Sequence, residues 1–168
     1  MSRHLNYTIF KTNAGWVGIS ASPRGLTCLT LPQNTEKAAL RQLGEDISLA
    51  EKDMLLFDSI MKRLIDHFTG HRTEFQDELD LSGATEFQRR VWQTARKIPH
   101  GETRTYKWLA EEIQQPKAAR AVGQALGKNP LPIIIPCHRV LAHDGSLGGF
   151  TGGIEWKKYL LKLERQVN

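Results

Sequence analysis

Apolar positions change their spacing along the chain. Between residues 5 and 31 they fall in short apolar runs bounded by Gly, Pro and Ser, which predicts strands over 5–10, 15–20 and 26–31. Ser22-Pro23-Arg24-Gly25 supplies a turn before the last of them, so the segment reads as an antiparallel meander. The spacing then becomes helical. A short helix is expected over 35–43. A longer one is expected over 53–68, where Leu56, Ile60, Leu64 and Phe68 recur every fourth residue and Gly70 follows as a stop. Residues 75–81 fit either extended chain or loop.

A shift of composition at Ser82-Gly83-Ala84 marks the expected boundary between a domain over 1–80 and another over 84–168. Thr85 and Gln88 have the spacing of a capping box. The helix they open aligns Phe87, Val91, Ala95 and Ile98 and ends before Pro99. Thr105 is a cap for a further helix over 106–113, with Leu109, Ala110 and Ile113 inward. Gln114-Gln115 makes a tight link. Pro116 then stands where proline favours the first turn of a helix running to 126. Two short helices across a tight link have the form of a helix-turn-helix, though many such pairs bind no DNA. The second is slim, with Ala118, Ala119, Ala121, Gly123 and Ala125, and Arg120 is its one long interior cation. Small side chains permit either close helix packing or approach to a narrow groove, and the helix alone does not decide.

Asn129-Pro130-Leu131-Pro132-Ile133-Ile134-Ile135-Pro136 reads as a short buried strand, and Cys137-His138-Arg139 follows it directly. Cysteine reacts as thiolate, and neighbouring cations or an imidazole lower its pKa. An activated nucleophile with a base beside it is the requirement of covalent catalysis. The competing reading is an inert core thiol. On a strand, adjacent side chains point to opposite faces, so a direct Cys–His contact would need a turn or a bridging water. Cys28 lies inside an apolar strand without basic neighbours and is assigned as inert. Gly148-Gly149-Phe150-Thr151-Gly152-Gly153 is a loop whose N–H groups can bind a ligand, without the trailing lysine of a phosphate loop. A last helix over 154–164 aligns Trp156, Leu160 and Leu163, with Glu164 near its end.

With 40% hydrophobic and 24% charged residues, the chain is neither disordered nor collagen-like. No apolar run reaches the ~18 residues of a membrane helix. Residues 1–11 carry no signal-peptide core, and two cysteines make no disulfide framework, so a cytoplasmic protein is expected. Residues 1–80 hold 9 Lys/Arg against 11 Asp/Glu, and residues 81–168 hold 14 against 7. The chain's net +5 therefore resides in its second part, which suits a polyanionic partner or a plain solvated basic surface.

On Pro136-Cys137-His138-Arg139 the sequence resembles the O6-alkylguanine-DNA alkyltransferases, suicidal DNA repair proteins. The order of features supports the resemblance: Thr105-Tyr106, then Ala118-Ala119-Arg120-Ala121-Val122-Gly123 and Asn129-Pro130, with the glycine loop and Glu164 after the cysteine. It is close over residues 84 to 165 and general in style before them. The resemblance implies an α+β protein. Its first domain, over 1–80, would be ribonuclease-like. The second, over 84–168, would be mostly helical, with a helix-turn-helix and the cysteine segment. By position, Cys137 corresponds to the alkyl acceptor, His138 to a base acting through water, and Glu164 to the group orienting it. Tyr106 corresponds to the hydroxyl that reaches the guanine and helps expel the nucleotide. Arg120 corresponds to the finger that fills the gap in the stack. Thr105, Ala118, Ala119, Ala121 and Gly123 fall on the DNA-contacting surface. Asn129 corresponds to a hinge at the site, and Val140, Phe150 and Thr151 to walls and donors of the base pocket.

The implied activity is that of a stoichiometric methylated-DNA-protein-cysteine S-methyltransferase. Its partner would be double-stranded DNA containing O6-alkylguanine, with O4-alkylthymine left open, and it would act as a monomer without cofactor. A slim helix suits the minor groove, about 6 Å wide. The base must leave the stack to be attacked, at a cost of a few kcal/mol. Two departures are visible: Phe150 where some members have tyrosine, and Thr151 where serine or alanine occurs. Some members bind zinc through N-terminal Cys and His residues. Cys28 with His4, His67 and His71 forms no matching set, so no zinc is expected. The alternatives are a non-catalytic alkyltransferase-like damage sensor, which lacks the cysteine, and a cysteine hydrolase, for which the slim basic helix pair offers no peptide site.

Overall fold

The computed structural model describes residues 4–165, which form two compact units, one ending at Ser82 and one beginning at Gly83. In the first, β1 (Asn6–Thr12), β2 (Gly15–Ser22) and β3 (Gly25–Leu29) make the expected meander. A two-residue strand, β4 (Glu51–Lys52), adds in parallel to β1 and gives the order β3-β2-β1-β4. Thr8, Ile9 and Phe10 are buried in succession, so β1 is covered on both faces. Helix α1 (Glu36–Gln42), capped by Thr35, packs Ala39 against Ile9, with Trp16 and Cys28 beside them. Residues 75–81 are extended for one bridge only, where Leu26 N–H donates to Glu78 and Asp80 N–H to the Leu26 carbonyl.

The long helix α2 spans Asp58–Phe68 rather than starting near residue 53. A 3-10 turn over Leu55–Phe57 precedes it, and Asp53 Oδ1 accepts the Leu56 N–H at 3.1 Å ahead of that turn. A 3-10 turn advances about 120° per residue rather than 100°, so it breaks the four-residue register. Leu56, expected inward, is 58% exposed, and Phe57 takes its place at 2%. Ile60, Leu64 and Phe68 are buried as the spacing predicts.

In the second unit α3 (Glu86–Ala95) opens on the full Thr85/Gln88 capping box and buries Val91, Trp92 and Ala95, with Ile98 beyond its end. Trp92 Nε1 donates to the Ala125 carbonyl at 2.9 Å, which ties α3 to α5 (Ala119–Gly127). Thr105 caps α4 (Tyr106–Glu112) through the Trp108 N–H at 2.9 Å. The link holds Gln114 at φ +62°, in the left-handed region that lets the chain turn sharply between the two helices. Helix α5 (Ala119–Gly127) starts later than expected. Ala118 N–H closes on the Gln115 carbonyl at 2.9 Å, so Pro116 occupies the second position of a β-turn. Its fixed φ serves that turn instead of a first helical residue. Val122, Ala125 and Leu126 face inward against α3 and α4. Helix α6 (Ile154–Arg165) closes the unit, and β5 (Arg104–Thr105) pairs in parallel with β6 (Val140–Leu141).

The isoleucine run is not a strand. Ile135 N–H donates to the Leu131 carbonyl at 2.8 Å, and Ile133 sits at φ +76°. Prolines at 130, 132 and 136 remove the donors a ladder would need. Asn129 replaces the ladder, its Oδ1 accepting Leu131 N–H and its Nδ2 donating to the Ile135 carbonyl, each at 2.8 Å. The run is apolar because Leu131, Ile133, Ile134 and Ile135 are all core. No described helix is long and apolar enough to cross a membrane.

Candidate active site

Cys137, His138 and Arg139 form one 3-10 turn between the isoleucine segment and β6. Side chains on such a turn fan out by about 120°, so the alternation expected of a strand does not apply. Cys137, 7% exposed, lies on the floor of a cavity of about 940 Å³. His138 and Arg139 are buried among the side chains of α6.

Two groups act on the thiol. Asn129 Nδ2 donates to Cys137 Sγ at 3.2 Å with the same amide group that holds the Ile135 carbonyl. Lys157, on α6, is fully buried, and its charge acts on the sulfur. Burial pushes the Cys137 thiol up, and the Asn129 hydrogen bond and the Lys157 ammonium pull it down. The cation that matters to the sulfur is therefore not the adjacent His138 or Arg139, as chain order suggests, but one twenty residues later. Lys157 Nζ donates to the Val140 carbonyl at 2.7 Å, the Gly149 carbonyl at 3.2 Å and Tyr106 Oη at 3.4 Å. It also stands 5.6 Å from the Tyr106 ring centre. Its own burial lowers its pKa to about 8. A signal was present in the sequence: Lys157 lies three and seven residues before Leu160 and Glu164, on the inward stripe of α6.

Behind the sulfur, His138 Nε2 meets Glu164 Oε1 at 2.7 Å. Arg139 Nε donates to both Glu164 oxygens, at 3.2 and 3.0 Å, and Nη2 donates to Oε1 at 2.7 Å. With His138 and Arg139 as partners, the Glu164 carboxyl is held well below the usual range, against the opposing effect of its burial. An ionised carboxylate only accepts, so His138 Nε2 carries the proton and Nδ1 is the lone pair. That Nδ1 is buried and has no hydrogen-bond partner among the described residues. Burial pushes the imidazole below its ordinary value against the pull of Glu164, and the Arg139 and Lys157 cations add to that push, so the ring is neutral at pH 7.

The cavity's other walls come from α4, α5 and the glycine loop: Tyr106, Arg120, Gly123, Phe150 and Thr151. Arg120 and Ala121 are exposed, and Ala118, Ala119, Gly123 and Thr105 are half-buried. Thr151 Oγ1 donates to the Gly127 carbonyl at the end of α5. Two expected pocket residues stand back from the cavity. Asn129 braces the sulfur, and Val140 is fully buried with its carbonyl on Lys157. Cys28 lies outside this site, and burial raises its thiol to about 11. Among the described residues no cluster of three His, Cys, Asp or Glu side chains is arranged to hold a metal ion. The arrangement offers a thiol, a neutral imidazole base and a buried ammonium beside an open cavity, the components of nucleophilic attack.

Residues 86–166 match the family model described as 6-O-methylguanine DNA methyltransferase, DNA binding domain. A methylated-DNA-protein-cysteine methyltransferase of Mycolicibacterium paratuberculosis is 52% identical over 110 residues, 66% of each chain. One from Methanosarcina acetivorans is 37% identical over 160 residues, covering 95% of this chain and 98% of the relative. Among solved structures, Mycobacterium tuberculosis OGT in complex with DNA superposes with a TM-score of 0.80 at 39% identity, covering 95% of this chain and 92% of that one.

Proposed function

The chain belongs to the methylated-DNA-protein-cysteine methyltransferase family, and from that premise we propose that it repairs DNA by taking the alkyl group of O6-alkylguanine onto Cys137, once per molecule. The observation that carries this reading is the sulfur lining the cavity and braced by Asn129, with the charge of the buried Lys157 acting on it.

The thiol proton passes through a water to His138 Nδ1, and the thiolate attacks the alkyl carbon in line with the guanine oxygen. The carbon–oxygen bond breaks and its electron pair goes to the guanine. A thioether forms, with no easy route back to the free thiol. Negative charge growing on the departing base is met by the Tyr106 hydroxyl, itself hydrogen-bonded to Lys157. Glu164 fixes the His138 tautomer. The α4–α5 pair serves as a helix-turn-helix whose slim second helix enters the minor groove, and Arg120, on the cavity rim, fills the stack when the nucleotide turns out. Phe150 and Thr151 wall the extruded base. The partner is duplex DNA, the protein works as a monomer, and the unit before Ser82 has the ribonuclease-like form of the family.

The test is an oligonucleotide carrying O6-methylguanine labelled in the methyl group. After reaction and digestion, the label is expected on the peptide that contains Cys137. Cys137→Ser is expected to take up none while binding the same DNA within about twofold, since no phosphate contact involves the sulfur. Label on any other peptide, or undiminished transfer by the serine variant, would remove Cys137 from this role.

A further inference from the structure

Arg139 sits directly behind the reacting group and touches neither cavity nor sulfur. Its side chain is 10% exposed, and three of its contacts run to Glu164, whose own side chain is 1% exposed. Nη1 donates to the Ile98 carbonyl at 2.7 Å, which fixes the fork from the far side. Without the guanidinium, the carboxylate keeps His138 Nε2 at 2.7 Å and the Gly101 N–H at 3.5 Å. A buried carboxylate left short of positive charge draws a proton to the nearest base. That base is His138.

We propose that Arg139 is a positioning residue for the transfer: by matching the Glu164 carboxylate it keeps His138 a neutral imidazole, with its proton on Nε2 and its Nδ1 lone pair free to take the thiol proton. The inference rests on the reading of His138 as the base. The charged and titratable groups acting on His138 are Glu164 and Lys157 from α6 and Arg139 from its own turn. Glu164 favours the imidazolium, and the two cations oppose it. An imidazolium carries protons on both nitrogens and accepts nothing. Loss of Arg139 therefore removes half of the opposing charge and leaves the carboxylate's pull in place, which occupies the base before the reaction starts.

The experiment uses the full chain and measures two things across pH: single-turnover transfer from free O6-alkylguanine base, and the ring nitrogen signals of His138 by NMR. In Arg139→Met the acid limb of transfer is expected to move upward by about one pH unit or more, as for a histidine gaining an unshared carboxylate. The nitrogen signals should keep their imidazolium form to a correspondingly higher pH than in the wild-type protein. Arg139→Lys keeps the charge without the two-toothed match, so the same shift is expected in smaller measure; it also serves if the methionine variant does not fold. The Arg139→Met, Glu164→Gln double variant has no carboxylate to draw the proton, and its limb should return to the wild-type position. A lower rate at every pH with an unmoved limb and an unmoved His138 titration would mean that Arg139 only holds the fold, and would overturn the proposal. The two readings fail separately. A wild-type protein that transfers nothing removes the proposed function, whereas transfer with His138 indifferent to Arg139 removes this inference alone.

Discussion

Lys157 has three protons and three acceptors: the Val140 carbonyl, the Gly149 carbonyl and Tyr106 Oη. Such a fully engaged ammonium is costly to bury, and its pKa falls to about 8. The sign of its effect on the reaction follows. Below about 8 the ammonium is present and supports negative charge on Cys137; as pH rises through that value the proton leaves and the support goes with it. Transfer from the free modified base should therefore stop gaining with pH near 8 and then decline, although an isolated thiol would keep gaining. Lys157→Met should lose the decline and be slower at neutral pH by roughly 10- to 100-fold, the worth of one charge-assisted interaction. A pH–rate profile of the two proteins checks both points. An alkaline decline that survives in the methionine variant would assign it to another group.

The glycine loop acts as an element because one of its residues has no room for a side chain. Gly148 lies at φ +68°, and a Cβ there would stand 2.7 Å from Tyr106 Oη and 3.0 Å from its Cε2. Tyr106 is tied to Lys157, so the loop and the tyrosine cannot both keep their places. Gly148→Ala should slow transfer about 10-fold or more through displaced Tyr106, with a change in melting temperature of only a few degrees because the site is an exposed loop. Gly145→Ala is the control: it has a similar φ of +82° and nothing within 4 Å, so it carries the backbone strain without the clash. Equal loss in both variants would reduce the effect to strain. What was legible in the sequence at this scale were elements with local chemistry of their own. Thr85 with Gln88 fixed the start of α3, Thr105 that of α4, and the Ser22–Gly25 turn the meander. The misreadings came where tertiary bonds replaced local ones. The isoleucine run looked like a strand because only burial shows in composition, and the Asn129 side chain that supplies its hydrogen bonds lies outside it. Pro116 suits a turn and a helix start equally, and Ala118 decides for the turn. Lys157 was missed because a buried lysine reads as a solvated one until its carbonyl acceptors are seen.

At the scale of the whole chain the charge has a location. The excess of basic residues belongs to the part from residue 81 onward, which carries 14 Lys/Arg against 7 Asp/Glu. Lys107, Lys117, Arg120 and Lys128 are exposed on or beside α4 and α5, whereas Arg139 and Lys157 are buried and spent on internal partners. Only the exposed group can displace counterions from a duplex. If each of those four neutralises one phosphate, the logarithm of affinity should fall with the logarithm of salt at a slope of about −3 to −4. The slope should be the same for an unmodified duplex and for one carrying O6-methylguanine, because phosphate attraction does not depend on the base, and the gain from the lesion should appear as a vertical offset. Replacing Lys117 and Lys128 with alanine should flatten the slope by roughly 2, while neutralising Lys37 and Arg41, in the first unit, should leave it unchanged. Fluorescence anisotropy titrations over a salt series measure this. A flat profile, or a slope set by the first unit's lysines, would place the DNA contact elsewhere than on the α4–α5 pair and separate the basic surface from the cavity that opens beside it.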